Sequence, residues 1–196
     1  MKPSVHPFQL PVLNDFVEFL YFTDIFKADE LETINNYWDQ EQIEKAGLEG
    51  EIEYEDSLRK SSVMGINAEE EYQWLFDRLT MLVHHANGQR YGFTVNGFYE
   101  PLQLAEYGEG DFFDWHLDFG PGAASNRKFS ITIQLSDEEA YEGGDLQFQI
   151  NNKFIDAPRK KGTVVLFPSF VIHRVTPITK ETRRSLVGWV SGPPFR

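Results

Sequence analysis

The segment KFSITIQLS, residues 128–136, alternates polar and large apolar side chains with a period of two residues. This alternation predicts a β-strand, because successive side chains of a strand point to opposite faces of a sheet. The apolar residues would face a hydrophobic core. The polar residues Ser130, Thr132 and Gln134 would face either water or the inside of a barrel, and the sequence leaves both alternatives open.

The chain after Gly88 has the same character throughout. Short segments with two-residue periodicity recur there, bounded by Gly, Pro, Asn or Asp. Six or more such segments at this spacing predict a β-sandwich or a barrel. The segments are residues 91–107, 128–136, 145–150, 161–168, 170–177 and 184–190.

Two stretches before Gly88 have helical periodicity instead. The first begins at about Asp29, and the second spans residues 67–88, where Asn67 and Glu70 are expected to form a capping box and Gly88 to end the helix. Both helices would buttress one sheet. The predicted fold class is therefore α+β with a mainly β core.

The length of 196 residues fits a single domain. We expect residues 1–100 to provide helical and strand support for the core. Within that part, residues 41–66 are a candidate lid, and their acidic stretch 49–56 is either a solvated surface or an attractor for a basic peptide. Residues 101–196 would form the β core that carries the functional site.

The overall charge and the lack of cysteine exclude several kinds of function. The 31 acidic residues exceed the 18 Lys and Arg, giving a net charge of −13, which argues against binding to nucleic acid or to an anionic membrane. Without cysteine, disulfides, thiolate metal sites and cysteine nucleophiles are impossible. Because no signal peptide or membrane-spanning run is recognisable, we expect a cytoplasmic protein.

The stretch WHLDF, residues 115–119, places a histidine and an aspartate two residues apart between large aromatic side chains. On a strand, His116 and Asp118 would share one face, and His173 follows 57 residues later in another apolar segment. Two histidines and one carboxylate leave three positions of an octahedral metal open, which suits non-haem Fe(II). Zinc could bind the same ligands, and the pair taken alone could equally be a structural polar contact.

Five further motifs occur in the order and at the spacing of a known family. They are YGEGDFFDWHLD (107–118), RKFSITIQLS (127–136), YEGGDL (141–146), KGTVVLFPS (161–169) and HRVTPITKETRRSLVGW (173–189). From about Leu102 to Trp189 the chain resembles the Fe(II)- and 2-oxoglutarate-dependent oxygenases of the prolyl 4-hydroxylase-like branch, and the bacterial PKHD-type hydroxylases in particular. The resemblance implies a double-stranded β-helix, a jelly-roll or cupin-like fold, with iron inside its open end.

The resemblance also implies roles for individual residues. His116, Asp118 and His173 match the iron ligands of the family. Arg183 matches the residue that holds the distal carboxylate of 2-oxoglutarate, and Ser185 would donate to the same carboxylate.

Two more positions match the surroundings of the cosubstrate, and two others depart from the family pattern. Tyr107 matches a tyrosine that lies near the cosubstrate in the family, and Trp189 would form a wall of the pocket. Gln134 and Phe113 depart from the family pattern, since many relatives have tyrosine at both positions. These departures bear on the substrate and on the cosubstrate geometry rather than on the iron site.

The activity implied by the resemblance is hydroxylation of an unactivated C–H bond. Fe(II), 2-oxoglutarate and O₂ would be required, and ascorbate is a further candidate cofactor. A prolyl or other residue in a peptide or protein is the leading substrate, and a free amino acid or small metabolite is the alternative. An alternative from a different class is a non-catalytic sensor module that binds a metal or 2-oxoglutarate. The sequence predicts no oligomeric state.

Overall fold

The structure is a computed structural model that describes residues 16–39, 43–45 and 58–195. The acidic stretch 49–56 lies outside the described residues, as does most of the candidate lid. The last part of that candidate, residues 58–66, is described and contains two strands.

The structure contains two α-helices and fourteen strands within the described residues. The helices are α1 (Ala28–Asn36) and α2 (Gln73–Ala86). The strands are β1 (Leu20–Phe22), β2 (Glu44–Lys45), β3 (Arg59–Lys60), β4 (Ser62–Ile66), β5 (Leu102–Tyr107), β6 (Phe112–His116), β7 (Arg127–Gln134), β8 (Glu142–Gly143), β9 (Leu146–Ile150), β10 (Lys153–Asp156), β11 (Val164–Pro168), β12 (His173–Val175), β13 (Ile178–Lys180) and β14 (Arg183–Ser191).

The strands form two antiparallel sheets that enclose a cavity. The large sheet has seven strands in the order β1-β11-β7-β14-β5-β4-β2, and the small sheet has five in the order β10-β9-β12-β6-β3. Strands β13 and β8 form a separate pair. This arrangement confirms the predicted double-stranded β-helix with a mainly β core.

The inner face of the large sheet is polar, which settles the alternatives left open for KFSITIQLS. The side chains of Ser130, Thr132 and Gln134 are buried, so they face the interior of the fold rather than water. The alternate residues Ile131 and Ile133 belong to the hydrophobic cluster that includes both helices. Strand alternation therefore separates a polar cavity from an apolar core.

The helices cover the other face of the large sheet, as predicted. Helix α2 contributes a row of buried side chains at helical spacing, and α1 contributes Leu31 and Ile34 to the same cluster. The buried residues of α2 are Leu75, Phe76, Leu79, Leu82, Val83 and Ala86.

The predicted bounds of α2 are wrong at both ends. A 3₁₀ turn at Glu70–Tyr72 precedes the α-helix, and Asn67 makes no side-chain cap. At the other end the helix continues through Gly88 as a π-helical turn and stops at Gly92, which has a φ of +68°. The longer helix places Tyr91 in the core with 2% exposure, and this burial outweighs the local stop signal of Gly88.

The first predicted strand segment, residues 91–107, is only partly a strand. Regular pairing begins at Leu102, and the preceding residues form an irregular connection with one isolated bridge from Gly97 to Ser191. The side chain of Asn87 stabilises this connection, because its amide donates to the carbonyl of Phe93 and its Oδ1 accepts from the Phe93 amide.

The packing of α2 predicts unequal effects of two substitutions on the same helix. Leu79→Ala removes a side chain that is 1% exposed, so we expect the free energy of unfolding to fall by about 2–5 kcal/mol. Met81→Ala removes a side chain that is 72% exposed and should change it by less than about 0.5 kcal/mol. Urea denaturation followed by circular dichroism measures both. Equal losses would contradict the assignment of the buried face.

Candidate active site

The two histidines of the predicted triad lie on adjacent strands of the small sheet. Strands β12 and β6 are paired with His173 directly opposite His116, and their ring centroids are 4.1 Å apart. Antiparallel pairing thus brings together two residues that are 57 positions apart in the sequence.

Asp118 lies beside the histidines but not on the predicted strand. Strand β6 ends at His116, and Asp118 belongs to the segment that follows it. A contact with the large sheet positions its carboxylate, because Ser130 Oγ donates to Asp118 Oδ2 over 2.5 Å. Ser169 Oγ lies 3.1 Å from Ser130 Oγ and extends this buried network.

The distances within the triad fit one divalent cation. Asp118 Oδ1 lies 3.6 Å from His116 Nε2, and Asp118 Oδ2 lies 3.5 Å from His173 Nε2. The three ligand atoms all lie within 4.8 Å of one another. Adjacent ligands of a metal bound at about 2.1 Å are separated by roughly 3 Å, so the two carboxylate–imidazole distances exceed this separation by only about half an ångström.

Hydrogen bonds to the backbone fix both rings in the tautomer that a metal requires. His116 Nδ1 lies 2.7 Å from the Asp114 carbonyl oxygen, and His173 Nδ1 lies 2.9 Å from that of Val171. A carbonyl oxygen can only accept, so Nδ1 carries the proton in each ring. The unprotonated Nε2 atoms therefore face Asp118, as metal-ligating histidines do.

The electrostatics of the triad favour the same protonation states. Burial tends to raise the pKa of Asp118, but His173, His116 and the Ser130 hydroxyl outweigh it and hold this pKa well below its usual range. Burial lowers the pKa of His173 to about 4, against the opposing effect of Asp118. At neutral pH the site therefore presents an ionised carboxylate and a neutral imidazole.

Arg183 lies on the large sheet with its guanidinium buried in the same cavity. It is 1% exposed and is among the largest fully buried side chains. Its Nη2 donates to Gln134 Oε1 over 2.9 Å, and its Nη1 donates to Ser185 Oγ over 3.3 Å. Within the described part of the chain, no carboxylate forms an ion pair with this guanidinium, and its buried Nε has no hydrogen-bond partner.

The glycine pair of YEGGDL makes room for Arg183. Gly144 has a φ of +65°, and a Cβ there would lie 2.3 Å from Ile178 Cδ1 and 2.9 Å from Arg183 Cδ. Only glycine fits this close approach. The expected tight turn thus also determines where the arginine side chain runs.

The two aromatic residues predicted near the cosubstrate also line the cavity. Tyr107 is opposite Arg183 in the β5–β14 register, with its ring centroid 5.6 Å from Arg183 Cζ. The buried indole Nε1 of Trp189 has no hydrogen-bond partner among the residues that the structure describes. Residues from both sheets enclose this cavity.

Three contacts around the triad were not predicted from the sequence. The first is the bond from Ser130 to Asp118. The second is Arg127, whose Nη1 donates to the Asp118 carbonyl while its guanidinium pairs with Glu100 and lies 3.9 Å from the Trp189 ring centroid. The third is the Phe113 ring, stacked on His116 with centroids 3.4 Å apart. For Ser130 the sequence did contain a signal, namely its place on the polar face of the strand.

The residues fit the cofactors that the family resemblance implies. Two imidazoles and a carboxylate with unprotonated ligand atoms suit Fe(II). A buried guanidinium without a carboxylate partner suits an anionic cosubstrate such as 2-oxoglutarate.

Comparison with known proteins gives matches over the same part of the chain. Residues 102–191 match the model of the 2OG-Fe(II) oxygenase superfamily. A PKHD-type hydroxylase of Hyphomonas neptunium is 36% identical over 106 residues, which cover 50% of this chain and 47% of the relative. One from Synechococcus sp. is 37% identical over 90 residues, which cover 45% of this chain and 40% of the relative. The chain thus spans about half the length of these relatives or less.

Solved structures share the fold over nearly the whole chain. A Pseudomonas putida prolyl-4-hydroxylase has a TM-score of 0.73 at 21% identity, covering 90% of this chain and 93% of that one. A Trichoplax adhaerens prolyl hydroxylase, solved with a hypoxia inducible factor peptide fragment, has a TM-score of 0.72 at 16% identity, covering 89% and 84%. At these identities the likeness concerns the fold alone.

No helix among the described residues is long and apolar enough to span a membrane. The residues matched by the family model include β5 to β14, and thus the triad, Arg183 and both walls of the cavity. Residues 102–191 therefore match the 2OG-Fe(II) oxygenase superfamily, and the fold of the chain is that of the solved prolyl hydroxylases.

Proposed function

We propose that the protein is a 2-oxoglutarate-dependent dioxygenase that hydroxylates an unactivated C–H bond of a peptide or protein residue, prolyl in the first instance. One observation carries this proposal. A buried two-histidine, one-carboxylate triad and a buried guanidinium without a carboxylate partner occur in the walls of one cavity. We further propose that the part of the chain before residue 101 supports this catalytic core.

The metal would be held by His116, Asp118 and His173, which leaves three positions of an octahedral ion for cosubstrate and O₂. Bound iron, together with 2-oxoglutarate and O₂, supplies the oxidising power for C–H hydroxylation. The carboxylate of Asp118 stays ionised and the Nε2 atoms stay unprotonated because of the contacts described above. These residues therefore need no change in protonation before the metal binds.

The cosubstrate would be anchored by Arg183. Burial makes the charge of this guanidinium costly unless an anion compensates it, so a carboxylate entering the cavity gains more than it would in water. Gln134 and Ser185 hold the guanidinium in place through its two terminal nitrogens. Arg183 thereby orients the cosubstrate, while the aromatic rings of Phe113 and Trp189 limit access of water.

The comparisons support a peptide or protein as the substrate class. The curated relatives are hydroxylases by name, and one structure of the same fold holds a peptide fragment. A free amino acid or small metabolite is the competing substrate class, because the cavity that contains the triad is itself small.

Aerobic turnover tests the activity directly. Purified protein is incubated with Fe(II), 2-oxoglutarate and proline-containing peptides, and succinate is measured together with a mass increase of one oxygen atom in the peptide. We expect succinate formation that depends on all components and is lost in His173→Ala. A visible absorption band with Fe(II) and 2-oxoglutarate under anaerobic conditions, without succinate from peptides, amino acids or metabolites in air, would favour a sensor module instead.

Removal of the proposed anchor should affect the cosubstrate and spare the metal. For Arg183→Ala we expect the binding free energy of 2-oxoglutarate to weaken by about 2–5 kcal/mol, because a desolvated carboxylate–arginine pair is lost. Calorimetric titration with 2-oxoglutarate measures this loss, and titration with Mn(II) should give nearly unchanged metal affinity.

Two further variants make this comparison specific. Arg183→Lys retains a positive charge and should recover part of the affinity. Arg184→Ala serves as a matched control, because Arg184 is the next residue but pairs with Glu106. An unchanged 2-oxoglutarate affinity in Arg183→Ala would identify another anchor.

A further inference from the structure

A second arginine without a carboxylate partner lines the cavity of the triad. Arg59 lies on β3, at the edge of the small sheet, and its backbone is paired with that of Phe113. Its guanidinium carbon lies 4.7 Å from the centroid of the Phe113 ring. That ring stacks in turn on His116, with an angle of 9° between the planes. Arg59 is therefore connected to the triad through a single aromatic side chain.

Arg59 forms no ion pair with any described residue, although the chain has an excess of acidic residues. Arg78, Arg127, Arg159 and Arg184 each have a carboxylate within 4.0 Å, whereas no described residue provides one to Arg59. Its neighbour Lys60 pairs with Asp111. The cavity thus has two arginines, Arg183 and Arg59, whose charge the described residues leave uncompensated.

The hydrogen bonding of Arg59 leaves the carboxylate-binding end of its guanidinium available. Its Nε donates to Ser61 Oγ over 2.9 Å, which fixes the orientation of the group. Neither Nη1 nor Nη2 donates to any described residue. Two parallel N–H groups on a planar guanidinium match the two oxygens of a carboxylate, whereas a neutral carbonyl would not balance the charge.

We propose that Arg59 binds a carboxylate of the substrate, so that the enzyme selects substrates with an anionic group close to the hydroxylated carbon. This inference rests on the proposed function and specifies its substrate class. Arg183 lies on the opposite sheet and remains the anchor of 2-oxoglutarate. The carboxylate belongs either to a free amino acid or to an acidic residue of a peptide, and the test separates these sources.

Binding can be tested without turnover on protein loaded with Mn(II) and saturated with 2-oxoglutarate. The first probes are N-acetyl amino acids, each paired with its uncharged methylamide. The second are end-blocked proline peptides with Asp or Glu beside the proline, each paired with the Asn or Gln peptide. Broadening of probe proton NMR signals by Mn(II) reports binding near the triad.

In one of the two probe sets, we expect the charged probe to bind more tightly than its uncharged partner. The charged probe should then reach the same signal broadening at a concentration at least about tenfold lower. The set that shows this difference identifies the source of the carboxylate. Arg59→Gln should abolish the difference, and Arg59→Lys should retain part of it. Lys60→Gln is the matched control and should preserve it, since Lys60 is exposed and does not line the cavity.

The inference is wrong if charged and uncharged partners broaden equally in the wild-type protein, or if Arg59→Gln still discriminates between them. These outcomes differ from failure of the proposed function. That failure would appear as a lack of Mn(II) binding or of 2-oxoglutarate binding, neither of which depends on which probe is bound.

Discussion

Two buried charges of opposite sign occur in this fold without neutralising each other. The carboxylate of Asp118 is stabilised beside the small sheet by the Ser130 hydroxyl, and the guanidinium of Arg183 is held on the large sheet by neutral side chains. A direct ion pair between Asp118 and Arg183 would have compensated both buried charges. Keeping them separate leaves an anionic site for a cation and a cationic site for an anion. The rest of the structure maintains this separation.

The large sheet separates the two kinds of interior. One of its faces packs against α1 and α2, and its other face supplies Thr132, Arg183 and Ser185 to the cavity, with Ser130 and Gln134 bonded to Asp118 and Arg183. Since strand alternation decides which residues face which side, a shift of register by one residue in β7 or β14 would place hydroxyl, amide and guanidinium groups in the helix-packed core. The burial of apolar residues against the helices therefore also fixes the orientation of the polar residues.

The sequence was informative where function depends on regular strands. Alternation predicted which residues of β7 form one face, and the motifs predicted that His116, Asp118 and His173 come together. It was misleading where tertiary packing overrides a local signal, as at Gly88, where burial of Tyr91 extends the helix. It could not predict the contact of Arg59 with Phe113, because β3 has only two residues and its pairing with β6 carries no periodic pattern.

The unpaired polar groups of the cavity indicate what its ligands must offer. Arg183 Nε and Trp189 Nε1 are buried without acceptors, and the two terminal nitrogens of Arg59 have none among the described residues. All of these groups are donors, whereas the ligand atoms of the triad are acceptors that a cation would occupy. Donors left unpaired in a buried site cost free energy until an acceptor arrives. Although the chain as a whole is strongly acidic, these donors favour ligands rich in acceptor oxygens, as the proposed binding of carboxylates by Arg183 and Arg59 requires.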